Sequence, residues 1–219
     1  MLKQLIAIVL SGAFLAAQTV GPERTVEGNV VVSERDPKVR VHLPKSAQYV
    51  GADRWVLYGM ADCELHAFVN ADAEKHVHRV YWVQFEGYLP SRPELQHTYD
   101  SPTHADIGSM DFYVDTWIRA TDEKMRPGSD LEHIFALIRS RGFVLPQGMT
   151  YVRLVHLFDG KRKELMIIYA EDVAWTGLTA AELRPNGEWH DRWPTIEKEA
   201  LERAEKSVGI EPAGHRAEN

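Results

Sequence analysis

The histidines carry most of the recognisable chemistry in this sequence. His76 and His78 are separated by one residue in the segment 76–86, which alternates between apolar and polar residues as a strand does. A strand turns successive side chains to opposite faces, so both rings project from one face, about 6.6 Å apart along the strand. His66 lies in the alternating segment 62–70, which the turn-like residues 70–75 connect to the first. The two segments are therefore predicted to form an antiparallel hairpin.

The pairing of this hairpin decides whether the rings meet. The apolar odd-numbered residues 63–69, together with Val77 and the odd residues 81–85, are expected to face the core, which leaves His66, His76 and His78 on the other face. If Phe68 lies opposite His76, His66 lies directly across from His78 with Cβ atoms about 5 Å apart. Three imidazoles at that spacing predict a Zn²⁺ site with a fourth position open to water.

This spacing resembles that of the metal-binding strands of the alpha-type carbonic anhydrases, over about a dozen residues. The resemblance implies zinc as a cofactor, and the enzyme hypothesis drawn from these histidines is a metal-dependent enzyme of the hydrolytic type. Glu64, on the same face as His66, and Asp100 are the candidate bases. The alternative is that this face is an ordinary solvated surface on which histidine is one of several polar residues.

A second group of polar residues lies in the long segment 88–109, which contains three prolines and no clear period. Long irregular segments often carry function. Its candidate ligand-binding residues are His97, Tyr99, His104 and Asp106, and turn formation is the alternative role of its aspartates. Trp82 and Gln84, which continue the polar face of the hairpin, are further ligand-binding candidates. The sharpest enzyme hypothesis has this segment folded over the hairpin histidines.

Short alternating or β-branched segments and two helices are predicted to position these residues. Ser129 and Glu132 form a capping box that opens a helix over 129–141, and Gly142 ends it. A second amphipathic helix is predicted over 194–207, with a thin apolar stripe. The predicted strands are 29–33, 38–43, 54–60, 62–70, 76–86, 111–120, 151–158 and 163–170.

The order of these elements predicts an α+β fold, because strands and helices do not alternate as a doubly wound parallel sheet requires. An antiparallel sheet of about six or more strands is expected to pack against one main helix, with the amphipathic C-terminal helix on the surface. The expected divisions are a signal peptide (1–17), a loose segment (18–28), a single domain (29–210) and a frayed tail (211–219).

Lys3 followed by an apolar run that ends in Ala16 and Ala17 is typical of a secretory signal peptide. The sequence therefore predicts an exported protein, periplasmic or secreted, with no transmembrane segment after signal removal. The single cysteine, Cys63, cannot form an internal disulfide bond and is expected to be buried.

The formal net charge of -7 argues against nucleic-acid binding, which requires a basic face. Glycine-rich phosphate loops, the G-x-S-x-G elbow and paired C-x-x-C motifs are all missing from the sequence. The first functional prediction is a non-catalytic module that binds a small molecule or a protein partner. The alternatives are the zinc-dependent hydrolase and a purely structural envelope protein, which would have no ligand-sized cavity.

Overall fold

The computed structural model of the protein describes residues 21–213. Seven antiparallel strands form a large sheet in the order β4-β5-β6-β10-β9-β8-β7. Its central strand, β10 (Lys163–Asp172), is apolar on both faces through its middle, as the sequence predicts for an interior strand. The other strands of the large sheet are β4 (Gln48–Leu57), β5 (Ala61–Ala71), β6 (Val77–Tyr88), β7 (Thr103–Ile107), β8 (Met110–Ala120) and β9 (Gly148–Phe158).

A small sheet of four short strands brings the two ends of the described chain together, in the order β1-β2-β3-β11. Its strands are β1 (Thr25–Glu27), β2 (Val30–Ser33), β3 (Val39–His42) and β11 (Gly209–Pro212). The predicted α+β class is therefore confirmed, with two antiparallel sheets where the sequence predicts one.

In the described part of the chain, three α-helices accompany the sheets: α1 (Asp130–Ser140), α2 (Ala180–Leu183) and α3 (Trp193–Ser207). Ser129 caps α1 by accepting from the backbone N–H of Glu132, as predicted, whereas the Glu132 carboxylate accepts from Gly128. The longest helix is the C-terminal α3, so the description of one main helix fits the structure only loosely. Two 3₁₀ turns, Val173–Thr176 and His190–Arg192, complete the helical elements.

Both faces of the large sheet are covered, which produces two main cores beside a smaller apolar cluster of Val173, Leu183 and Ile196. One core contains residues such as Phe68 and Ile167 together with the small sheet and the inner face of α3. The other contains residues such as Leu65 and Ile168 together with α1. The molecule therefore has three layers, with the large sheet in the middle.

The β5–β6 hairpin does not have the pairing that the predicted zinc site requires. Phe68 lies opposite Tyr81, and His66 lies opposite Val83, with a bulge between Asn70 and Ala71. The odd-numbered residues of β5 consequently share a face with Trp82 and Gln84, not with the odd-numbered residues of β6. The prediction assumed one wet face, but both faces are buried, so polar residues mark neither of them as the solvent side.

Parts of both predicted terminal segments belong to the small sheet. The predicted loose segment 18–28 contains β1, and the predicted frayed tail 211–219 contains the end of β11. Single short strands have weak sequence signals, because their stability comes from pairing with distant strands. The predicted signal peptide, residues 1–17, and the remainder of the tail, 214–219, lie outside the described residues. Within residues 21–213, no helix has the length and apolarity needed to span a membrane.

Candidate functional site

His66 and Glu64 belong to a buried cluster of hydrogen-bonded polar groups on the face of the large sheet that meets the small sheet. His66 is 1% exposed, and its ring contacts the Glu64 carboxylate at 3.0 Å and the Tyr49 hydroxyl at 3.3 Å. Glu64 also accepts from the backbone N–H groups of Glu23 and Arg24, each at 2.7 Å. Burial opposes ionisation of Glu64, but the hydrogen bonds from His66 and from these two amides outweigh it and lower its pKa to about 2. Glu64 thus anchors the N-terminal segment, and its low pKa makes it a poor general base.

His76 and His78 lie elsewhere, at the start of β6 and in solvent. Their side chains are 58% and 52% exposed, and Asp72 contacts both rings, His76 at 3.2 Å and His78 at 4.0 Å. The rings of His66, His76 and His78 do not form one of the ligand groups found within residues 21–213. The structure does not bring together the three predicted zinc ligands, because His66 is part of the interior and the other two are at the strand end.

A cavity opens beside these two histidines, and we call it the end cavity. Its volume is about 820 Å³. Strands β6 and β9 begin at this end of the large sheet, and β8 and β10 finish there, so four connections converge around it. Its lining residues are His76–His78, Ala120–Asp122, Val144–Gly148, Asp172–Ala174 and Leu178–Ala181.

The long segment after β6 does fold over the large sheet, but over its opposite end. His97 is 6% exposed, with its Nδ1 3.1 Å from Glu164 Oε2, and the Tyr99 hydroxyl donates to the same oxygen at 2.7 Å. Of the other candidates in this segment, Asp100 and Asp106 are exposed. His104 is 44% exposed and contacts Asp111.

Glu86, His97 and Glu164 form what we call the carboxylate–histidine cluster. Glu86 on β6 lies directly opposite Glu164 on β10, so the two carboxyl groups share one face. The ligand atoms of the three residues all lie within 4.8 Å of one another. The cluster therefore places two carboxyl groups and one imidazole at a single point between the sheet and the covering segment.

Burial controls the ionisation of this cluster. It raises the pKa of Glu164 to about 8, with help from the nearby Glu86 carboxylate, and it raises the pKa of Glu86 to about 7, with help from Asp130. Burial also lowers the pKa of His97 to about 4. Both shifts favour the uncharged forms of His97 and Glu164, which weakens the charge–charge attraction between them.

Trp82 and Gln84 lie on the same face as Glu86 and form a chain of hydrogen bonds that ends at the Glu86 carboxylate. The Trp82 indole donates to Gln84 at 2.9 Å, and the Gln84 amide donates to Glu86 at 3.2 Å. The buried thiol of Cys63, which lies opposite Glu86, donates to the same carboxylate oxygen at 3.3 Å. Burial strongly raises the pKa of the Cys63 thiol, so this cysteine is an unreactive hydrogen-bond donor.

Sequence reasoning missed Glu164 and Asp130, which complete this polar face. The available signal was Glu164 itself, since an ionisable residue at the start of an interior strand must be satisfied within the protein. It also missed Arg162, whose guanidinium donates to five backbone carbonyls of the covering segment. They belong to Tyr88, Leu89, Arg92, Pro93 and Leu95.

No protein-family model, curated protein sequence or solved structure matches this chain.

Proposed function

We propose that this chain is an exported binding protein that holds a small, largely apolar molecule in the end cavity. The observation that carries the proposal is the cavity itself. Its volume of about 820 Å³ lies within the range of about 300–1,000 Å³ that is usual for ligand sites. A purely structural role predicts no such space. Export is supported by the signal-like residues 1–17.

The walls of the cavity suit an apolar ligand, since aliphatic side chains supply much of their surface. Val144 lines the cavity and is 51% exposed, and a bound molecule would cover it. Leu145, Val173 and Leu178 contribute further apolar surface. His78 gives the ligand one hydrogen-bonding group at the rim.

Backbone hydrogen bonds hold these walls in place before any ligand arrives. Val77 donates to Val144, and Val144 donates to Lys75, each at 2.9 Å. Thr121 donates its backbone N–H to Gln147 and its hydroxyl to Pro146. Because these polar groups are already paired, a ligand need not satisfy them, and little ordering free energy is lost on binding.

The zinc hydrolase prediction has less support, because its metal ligands His66, His76 and His78 lie in two different environments. Two acids at or beside the cavity also have structural contacts: Asp72 contacts His76, and Asp172 accepts from the backbone N–H of Ala174. The proposal is therefore of binding without catalysis at this cavity.

A dye titration tests the proposal with 1-anilinonaphthalene-8-sulfonate, an aromatic probe that fluoresces in apolar sites. The wild-type protein is expected to bind it saturably. Ala181→Trp fills the cavity from an exposed position on its wall and should weaken binding by about tenfold or more.

Ala136→Trp is the matched control, since Ala136 is exposed on α1, away from the cavity. It should bind the probe as the wild type does. Absence of saturable binding to the wild type, or equal binding by the two tryptophan variants, would overturn the proposal.

A further inference from the structure

We infer that the carboxylate–histidine cluster is a binding site for one divalent transition-metal ion, with Glu86, His97 and Glu164 as its ligands. This site is separate from the end cavity. The cavity lies where β6 begins and β10 ends, whereas the cluster lies near the opposite ends of the same two strands.

The spacing of the donor atoms suits a single ion. Two ligands held about 2.0 Å from a tetrahedral ion are about 3.3 Å apart. His97 Nδ1 and Glu164 Oε2 are 3.1 Å apart, and all three residues offer donor atoms within 4.8 Å of one another. A small rotation of the Glu86 side chain would complete the convergence. Its place opposite Glu164 on neighbouring strands fixes its backbone.

A second observation comes from the imidazole. Only 6% of the His97 surface is exposed, yet its Nε2 has no hydrogen-bond partner. Buried polar atoms are nearly always paired, so such an atom requires an explanation. The same applies to Oδ1 of Asp130, which lies in a neighbouring donor group that also contains Glu86. An ion bound at Nδ1 would place the ring proton on Nε2, and its positive charge would offset the cost of burying the neighbouring carboxyl groups together.

The neighbours of the cluster act as orienting groups. The Tyr99 hydroxyl donates to Glu164, and the Gln84 amide, itself held by Trp82, donates to Glu86. Donors of this kind fix the direction of ligating carboxylates in metal sites. They also favour the ionised carboxylates that a metal requires.

The donor set selects the class of ion. An imidazole nitrogen with two carboxylates suits Zn²⁺, Co²⁺ or Mn²⁺, whereas Ca²⁺ and Mg²⁺ prefer sites built from oxygen alone. The ion would be enclosed by the covering segment, since His97 stacks on Tyr88 with ring centroids 4.4 Å apart.

Calorimetric titration of chelator-treated, untagged protein with Zn²⁺, and absorption spectroscopy with Co²⁺, test the inference. We expect one ion per chain and a visible Co²⁺ spectrum of low coordination number. Glu86→Gln and Glu164→Gln should each weaken Zn²⁺ binding by about a hundredfold, and Tyr99→Phe by about tenfold. Circular dichroism establishes that each variant is folded, and glutamine resembles the protonated acid closely enough to preserve the packing.

Two controls separate this site from surface binding. His104→Gln changes a half-exposed histidine of the same segment, and the double variant His76→Ala, His78→Ala removes the exposed pair beside Asp72. Both should retain the ion. The inference is overturned if wild-type protein binds no ion saturably, if Ca²⁺ alone binds, if the two glutamine variants bind Zn²⁺ like the wild type, or if either control loses the ion.

Discussion

At the scale of single residues, the same side chain behaves differently on the two faces of one sheet. Glu64 and Glu86 lie on neighbouring strands and are both largely removed from water. Glu64 receives four donors, from two amides, a guanidinium and an imidazole, and its pKa falls to about 2. Glu86 receives an amide and a thiol beside other acids, and its pKa rises to about 7. The supply of donors, more than burial alone, decides which carboxylate is a stable anion.

The depressed pKa of Glu64 predicts the pH dependence of stability. Its folded pKa of about 2 lies below the ordinary value of 4.5, so its contribution is present above about pH 4.5 and is lost as the pH falls towards 2. At about 1.4 kcal/mol for each pKa unit, Glu64→Gln should lower the free energy of unfolding by about 3 kcal/mol near neutral pH. The gap to the wild type should narrow in acid, as measured by urea denaturation at several pH values.

Asp62→Asn is the matched control, because Asp62 forms an ion pair with Arg54 but is 40% exposed. Exposed pairs contribute little, so this variant should lose less than about 1 kcal/mol. A deficit for Glu64→Gln that stays constant across the pH range would contradict the electrostatic account.

At the scale of elements, one arginine organises the segment that covers the carboxylate–histidine cluster. Residues 89–102 form no strand or α-helix, yet their path is defined. Arg162, in the turn before β10, donates to five carbonyls of this region, and Lys161 accepts from the backbone N–H of His97 at 2.8 Å. These hydrogen bonds take the place of the strand-to-strand backbone hydrogen bonds that the segment lacks, because buried carbonyls need partners.

Removing this guanidinium should free the covering segment without unfolding the sheet. In Arg162→Ala, amide hydrogen exchange across 89–101 should accelerate by about tenfold or more, while the central strands keep their protection. Arg92→Ala, a change at an exposed arginine of the segment itself, should leave exchange close to that of the wild type. Unchanged exchange in Arg162→Ala would show that other contacts hold the segment.

At the scale of the whole molecule, the central strands of the large sheet are covered on both faces. Ile167 and Ile168 are adjacent on β10 and point to opposite sides, one into each core, with 0% and 4% exposure. Ile167→Ala and Ile168→Ala should therefore each lower the free energy of unfolding by about 2–5 kcal/mol. Val56→Ala, at a position 51% exposed on β4, should cost less than about 0.5 kcal/mol. Chemical denaturation measures all three, and tolerance of either isoleucine change would mean that its face is open.

Local patterns in the sequence were sufficient for most elements. The α1 helix begins after Ser129, as its capping residues predict, and Thr179 and Glu182 form the reciprocal capping box of α2. The stripe at Ile196, Ala200 and Ala204 is buried on α3. Caps and helical stripes depend on residues three or four apart, so they can be identified without knowing the rest of the fold.

Pairing between strands required the tertiary structure. A slip of one residue moves every side chain of a strand to the other face. Because this sheet is buried on both faces, its strands lack the alternation of apolar and polar residues that would have indicated the register. His66 was consequently expected beside His78, but it lies inside against Glu64 and Tyr49.

The sequence by itself determined the fold class, most strand and helix positions, the burial of Cys63, and His97 and Tyr99 as candidate site residues. Only the tertiary structure decided what those residues contact. Glu86 and Glu164 meet because β6 and β10 are neighbours, although the intervening chain includes three other strands and α1. Contacts between distant segments follow from the packing of whole layers, and no pattern confined to one segment can encode them.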